Sequence, residues 1–303
     1  MTPDIAASVK DRLLSRGREP GEEFERTLVR FAGERFLYRL GRSGARERCL
    51  LKGAGLLAVW LTNPYRATRD VDLLVSGPSD EVAVRGILEE VCSIPCPVDG
   101  LQFSLDDLRI DAIREEEEYA GKRARFWTYL GNARIRLQVD FGFGDAPGSE
   151  PETVEYPTLL HELPAPRLRA YPREVTVAEK FEAMVKLDVR NSRMKDFHDV
   201  WALAGAFGFD GAALRDAIVQ TFARRRTPWT DEIPRPLTPA FYENAGLRSR
   251  WAAYTRSSDL LAAPPAQFEA IGEVISRFLG PVRTSILMDE PFSARWAPGG
   301  PWA

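Results

Sequence analysis

Two histidines and three cysteines stand among 303 residues. A structural zinc site needs four ligands of these kinds, and His161 and His198 lie far in sequence from the "CSIPC" pair, Cys92 and Cys96. Zinc is therefore not expected. The odd count of thiols, completed by Cys49, fits a reducing cytoplasm. No apolar run approaches the length of a membrane span, so no membrane partner is expected. The opening "MTPDIAASVKDRLLSRGREPGEEFERTLVRF" is charged throughout and does not read as a secretory signal. An excess of positive charge is missing too: 41 Lys and Arg face 44 Asp and Glu, a formal net charge of −3. Bulk basicity does not advertise nucleic acid, although a local basic face stays open. No internal repeat is visible.

What is present describes a soluble globular chain. Hydrophobic residues make up 44% and charged residues 28%, well away from disorder, and the length allows two domains. Apolar residues three and four apart predict helices from residue 4 to about 40. "SGARERCLLKGAG" reads as a short strand entering a glycine loop, "GLLAVWLT" as a short helix and "RDVDLLVS" as a strand. "SDEVAVRGILEEVCS" reads as a helix with a serine N-cap. Antiparallel sheet follows in "LRIDAIREEEEYAGKRARFWTYLGNARIRLQVDFGFGD", with Gly131-Asn132 suited to a hairpin turn and "REEEEY" to a solvated loop or strand end. The Pro- and Glu-rich stretch "PGSEPETVEYPTLLHELPAPRLRAYPRE" reads as a long connection. From Val175 the pattern turns helical, and "DEPFSARWAPGGPWA" predicts a loosely held tail. The expectation is an α+β chain: residues 1–160 an α/β domain with a mixed sheet, residues 161–303 a mostly helical domain.

The chemistry concentrates in a few short stretches. In "RATRDVDLLVSG", Asp70 and Asp72 point the same way from a strand while Val71, Leu73 and Val75 point the other. Paired like charges that are partly buried need a cation, or else mark a strand end facing solvent. In "ARIRLQVDFGFGD", Asp140 lies on the polar face of an alternating strand. Together the three aspartates offer the hard oxygen donors that magnesium or manganese takes. Two such ions could activate an attacking hydroxyl and stabilise a leaving pyrophosphate. Upstream, "LLKGAGLL" places Lys52, Gly53, Ala54 and Gly55 between strand and helix, where backbone N–H groups can approach phosphate or a tight turn simply needs glycine.

That order (glycine loop, D-x-D, distal Asp) resembles the nucleotidyltransferase superfamily with a DNA polymerase β-like fold. "LLKGAGLLAVWLTNPYRATRDVDLLV" is similar, more narrowly, to the AbiEii/AbiGii toxin family, and so is "VTVAEKFEAMVKLDVRNSRMKDFHDVWAL". The resemblance runs from about residue 30 to 225. It implies NMP transfer from an NTP to an acceptor hydroxyl, with Asp70, Asp72 and Asp140 as metal ligands and catalytic carboxylates. Lys180 falls on the family's lysine and would hold nucleotide phosphates across the cleft. Of Asp196 and Asp199, three apart on one helical face, Asp196 is the favoured partner for Lys180 or a substrate hydroxyl. Arg66 and Arg69, ahead of the D-x-D, are candidates for triphosphate contact or for ion pairs with neighbouring aspartates. The resemblance further implies a toxin paired with a cognate antitoxin, acting in the cytoplasm on the 3′ end of tRNA. Acceptors of other kinds, or a non-catalytic binding module, are the alternatives. One departure stands out: many members carry Ser or Thr where this chain has Gly55, so backbone N–H groups must serve instead of a hydroxyl.

Acceptor residues are sought in two stretches that mix basic and aromatic side chains. "FARRRTPW" offers Arg224, Arg225, Arg226 and Trp229, and "LRSRWAAYTR" offers Arg248, Arg250, Trp251, Tyr254 and Arg256. Such mixtures suit RNA, and equally suit helix packing. His198 reads as structural.

Overall fold

The computed structural model describes residues 4–16, 24–61, 68, 70–113, 121–144, 150–257 and 260–303. The chain divides into two compact units, residues 1–146 with 151–171, and residues 172–303 with 147–150. "REEEEY", Arg66 and Arg69 lie outside the described residues.

The first unit runs α1 (Ile5–Arg16), α2 (Phe24–Leu40), β1 (Cys49–Lys52), α3 (Gly55–Trp60), β2 (Val71–Val75) and α4 (Glu81–Ser93). Five strands follow: β3 (Leu101–Ile113), β4 (Gly121–Leu130), β5 (Ala133–Phe143), β6 (Glu152–Glu155) and β7 (Arg167–Ala170). With β1 and β2 they form one seven-stranded sheet in the order β3-β4-β5-β2-β1-β7-β6. It is mixed, as expected: β2 runs parallel to β5 and β1 parallel to β7, while β1–β2 and β3–β4–β5 are antiparallel. The strict alternation along β4 and β5 buries Ala124, Phe126, Thr128, Ile135, Leu137, Val139 and Phe141 and leaves the other face polar. Helix α2 contacts β5. Its Phe36 lies within 6.2 Å of the rings of Phe103 and Phe126, a burial contributing roughly 1.5–3 kcal/mol per large side chain. Gly131, at φ +57°, makes the β4–β5 turn with Asn132.

Two local readings change. The N-cap of α4 is Asp80, whose carboxylate accepts from the Ala83 N–H at 2.8 Å, one residue past the serine expected. The Pro- and Glu-rich stretch is more than a connection, because β6 and β7 extend the sheet from β1. Leu168 and Ala170 are buried there, but runs of four residues between prolines are too short for alternation to be recognised.

The second unit is mostly helical: α5 (Arg173–Leu187), α6 (Met194–Ala206), β8 (Phe209–Asp210), α7 (Gly211–Arg224), α8 (Pro239–Tyr242), α9 (Ala245–Thr255), α10 (Phe268–Leu287) and β9 (Arg295–Trp296). Phe197 of α6 packs among Phe241, Tyr242 and Phe268, and Phe181 of α5 against Phe222 of α7. The tail is anchored, contrary to expectation. Strand β9 pairs with β8, the Trp296 indole donates to the Ala204 carbonyl at 2.7 Å, and Trp302 donates to the Phe278 carbonyl at 2.9 Å. Its aromatic residues outweigh the loosening effect of its glycines and prolines.

Candidate active site

The sheet register builds the site. Lys52 of β1 stands opposite Asp72 of β2, Asp72 opposite Asp140 of β5, Asp140 opposite Arg123 of β4, and Arg123 opposite Asp111 of β3. Directly paired residues share a face, so one row of charged side chains crosses the strands. Asp70 immediately precedes β2.

The glycine loop closes over this row. Gly53 adopts φ +69°, and a Cβ placed there would lie 2.2 Å from Asp72 Oδ2. The loop backbone therefore packs against the Asp72 carboxylate, and only glycine permits the approach. Gly55, first residue of α3, is different: a Cβ there would meet Leu51 Cδ1 at 3.6 Å and Tyr156 Cε2 at 3.9 Å, ordinary contact distances. A narrow cavity of about 20 Å³, lined among others by Glu34, Gly55, Thr68, Asp70 and Tyr156, lies beside the loop. Burial pushes the Glu34 carboxyl up to about 7, against the lowering effect of Arg35 and of the Leu159 N–H, which donates to it at 2.6 Å.

Arg123 is the residue that the sequence did not single out. Its Nε and Nη2 donate to Asp140 Oδ1 and Oδ2 at 2.8 and 2.6 Å. The hydrogen-bonded Asp140 carboxylate outweighs the cost of burial and raises the Arg123 pKa above its ordinary value, with Asp70 and Asp72 adding to the effect. The alternation signal could mark Arg123 as polar-faced, but not as the arginine opposite Asp140.

Carboxylate oxygens are the right donors for magnesium or manganese. Of the three aspartates, Asp140 is bonded to a guanidinium. Among the described residues no three His, Cys, Asp or Glu side chains gather so as to hold a metal, and both Asp140 oxygens accept from Arg123.

In the second unit, Lys180 of α5 is clamped by two aspartates of α6, Asp196 Oδ1 at 2.9 Å and Asp199 Oδ2 at 2.6 Å. Both carboxylates are fully buried, and Arg193 Nε adds a contact to Asp196 at 2.7 Å. Burial pushes the Asp196 carboxyl up, but Lys180 and Arg193 overcome it and hold it below its ordinary value, with Asp199 opposing them. The expectation favoured Asp196 over Asp199, whereas both engage Lys180. His198 is 1% exposed and bonds Tyr254 Oη through Nδ1 at 2.9 Å.

The two basic–aromatic stretches are largely committed to packing. Arg224 pairs with Glu179 at 3.0 Å and Arg225 with Glu182 at 2.7 Å, and Trp229 stacks on Phe222 at 4.1 Å. Trp251 is 1% exposed, and Arg250 donates to the Val189 and Asn191 carbonyls at 2.9 and 3.0 Å.

A glycine loop on a D-x-D strand, with a further aspartate on the next parallel strand, defines the class: a nucleotidyltransferase domain of the polymerase β superfamily. Residues 35–274 match the family described as Nucleotidyl transferase AbiEii toxin, Type IV TA system, and the chain belongs to that family. Among solved structures, the chain is similar to JHP933 from Helicobacter pylori at 14% identity and a TM-score of 0.49, over 84% of this chain and 90% of that one. A second H. pylori structure, described as a nucleotidyltransferase, is similar at 14% identity and a TM-score of 0.49, over 85% of this chain and 94% of that one. Comparison with curated proteins finds no match.

Proposed function

We propose that this protein transfers NMP from an NTP to an acceptor hydroxyl, the 3′ end of tRNA, as the toxin of a toxin–antitoxin pair whose antitoxin is a separate protein. The observation that carries the reading is the contact of the Gly53 backbone with Asp72, beside Asp140 in register, which sets a phosphate-binding type of loop directly on the carboxylate row. The α/β unit carries the transfer site in this reading.

The acceptor hydroxyl oxygen attacks the α-phosphorus as its proton passes to Asp140, the bond to the bridging oxygen breaks, and pyrophosphate leaves with the electron pair. The Gly53–Ala54–Gly55 loop and Lys52 are assigned to the triphosphate, as are Arg66 and Arg69. Lys180, held in one position by Asp196 and Asp199, is assigned to the charge that develops on the departing phosphates. Magnesium or manganese is the metal requirement, with Asp70, Asp72 and Asp140 as its carboxylates, the last in exchange for its bond to Arg123. An RNA acceptor is supported by the polar sheet face that carries Asp140: Arg134 and Arg136 of β5 place their guanidinium carbons 3.7 and 5.5 Å from the Trp127 ring of β4. Exposed cations beside an aromatic plane suit phosphate and base together. Among the described residues no helix is long and apolar enough to cross a membrane.

The test is incubation with magnesium, each labelled NTP in turn and total bacterial tRNA, with Asp72→Ala and Lys180→Ala alongside. Label in tRNA with one NTP, lost in both variants, is the expected result. Label on protein or a small molecule would replace the acceptor. No transfer to any fraction of a cell extract by the folded protein would sink the enzymatic reading.

A further inference from the structure

The carboxylate row contains its own counter-cations. Asp72 and Asp140 occupy directly paired positions on neighbouring strands, which run about 5 Å apart, and like charges placed so repel. The row flanks them with Lys52 on one side and Arg123 on the other. Arg123 answers Asp140 in the strongest geometry a guanidinium has: a fork of two bonds, 2.8 and 2.6 Å, that takes both carboxylate oxygens. Its side chain is 33% exposed and that of Asp140 13%, so the arginine is open to solvent while the carboxylate it holds is largely covered. A metal ion that used Asp140 would have to displace this fork.

We propose that Arg123 is a resident cation that competes with divalent metal for Asp140. Asp140 can share a metal with Asp70 and Asp72 only when Arg123 withdraws. Arg123 is thus a positioning residue: it governs when Asp140 can ligate a metal or accept the acceptor proton. The inference rests on the nucleotidyl-transfer reading only for the identity of the site.

The experiment is a Mn²⁺ titration of the full chain, read by the electron paramagnetic resonance of the unbound ion. Proteins compared are wild type, Asp72→Asn, Asp140→Asn, Arg123→Gln, Arg123→Lys and the Arg123→Gln/Asp140→Asn double variant. Asp140→Asn is expected to leave the wild-type Mn²⁺ affinity within about twofold, because its oxygens are already engaged. Arg123→Gln is expected to tighten binding about tenfold by freeing both Asp140 oxygens for the ion, and the double variant to lose that gain. Arg123→Lys, which keeps the charge without the fork, should tighten it about threefold. The proposal is overturned if Asp140→Asn weakens wild-type binding as much as Asp72→Asn does, or if Arg123→Gln brings no gain. Should circular dichroism show the glutamine variant unfolded, an unchanged affinity in Arg123→Lys overturns it alone. A blank transfer assay would remove the proposed function without altering this titration, so the two failures are distinguishable.

Discussion

At the scale of single residues, the two loop glycines have different reasons to be there. Gly53 combines φ +69° with a Cβ position 2.2 Å from Asp72 Oδ2. Gly53→Ala is expected to lose about 100-fold in transfer rate by pushing the loop off the carboxylate, and about 1–3 kcal/mol in stability. Gly55 has ordinary space for a side chain. Gly55→Ser is therefore expected to fold normally and, by restoring the hydroxyl common in the family, to lower the KM for NTP about fivefold, the worth of one hydrogen bond. Steady-state kinetics with thermal unfolding checks both, and a KM unmoved by serine would remove the hydroxyl argument. The loop and the D-x-D were readable because each is a short local pattern. Arg123 was not. It is one of several arginines on the β4–β5 face, and only pairing with a residue 17 positions away distinguishes it.

At the scale of elements, strong periodicity made α2, β4 and β5 legible, while β6 and β7 were hidden by their length and their prolines. Periodicity also says nothing of a polar residue on a buried face. Glu34 of α2 is 2% exposed, and its carboxyl is pushed up from 4.5 to about 7 by burial. Between those two values the native chain keeps a proton that the unfolded chain has released, so stability falls as pH rises through this window and levels off above it. The loss amounts to roughly 3 kcal/mol. Denaturant unfolding from pH 4.5 to 8 should show this decline. Glu34→Gln should match wild type near pH 5, lack the decline, and exceed wild-type stability at pH 8. A wild-type curve that rises across the window would mean that Arg35, 3.0 Å away, holds the carboxylate ionised after all.

At the scale of the whole molecule, two units carry two separate cores, and the tail belongs to the second. Its composition, rich in Gly and Pro, hid this from the sequence, because what fixes it is long-range: Trp296 packs its ring 4.9 Å from Phe278 and 5.5 Å from Trp302, and bonds Ala204. Trp296 is 2% exposed, so Trp296→Ala removes a large side chain from a closed core, for an expected cost of about 3–5 kcal/mol. If the units are separate cooperative blocks, that cost falls on one of them. Native-state hydrogen exchange should then show amides of α5, α6, α7 and α10 losing protection, while those of β1, β2, β4 and β5 keep theirs. Equal loss in both sets would mean that the chain unfolds as a single block. The same variant separates stability from chemistry, since Trp296 lies outside the proposed machinery. At a temperature where the variant remains folded, transfer activity should equal wild type, whereas Asp72→Ala should abolish transfer with its hydrogen exchange unchanged.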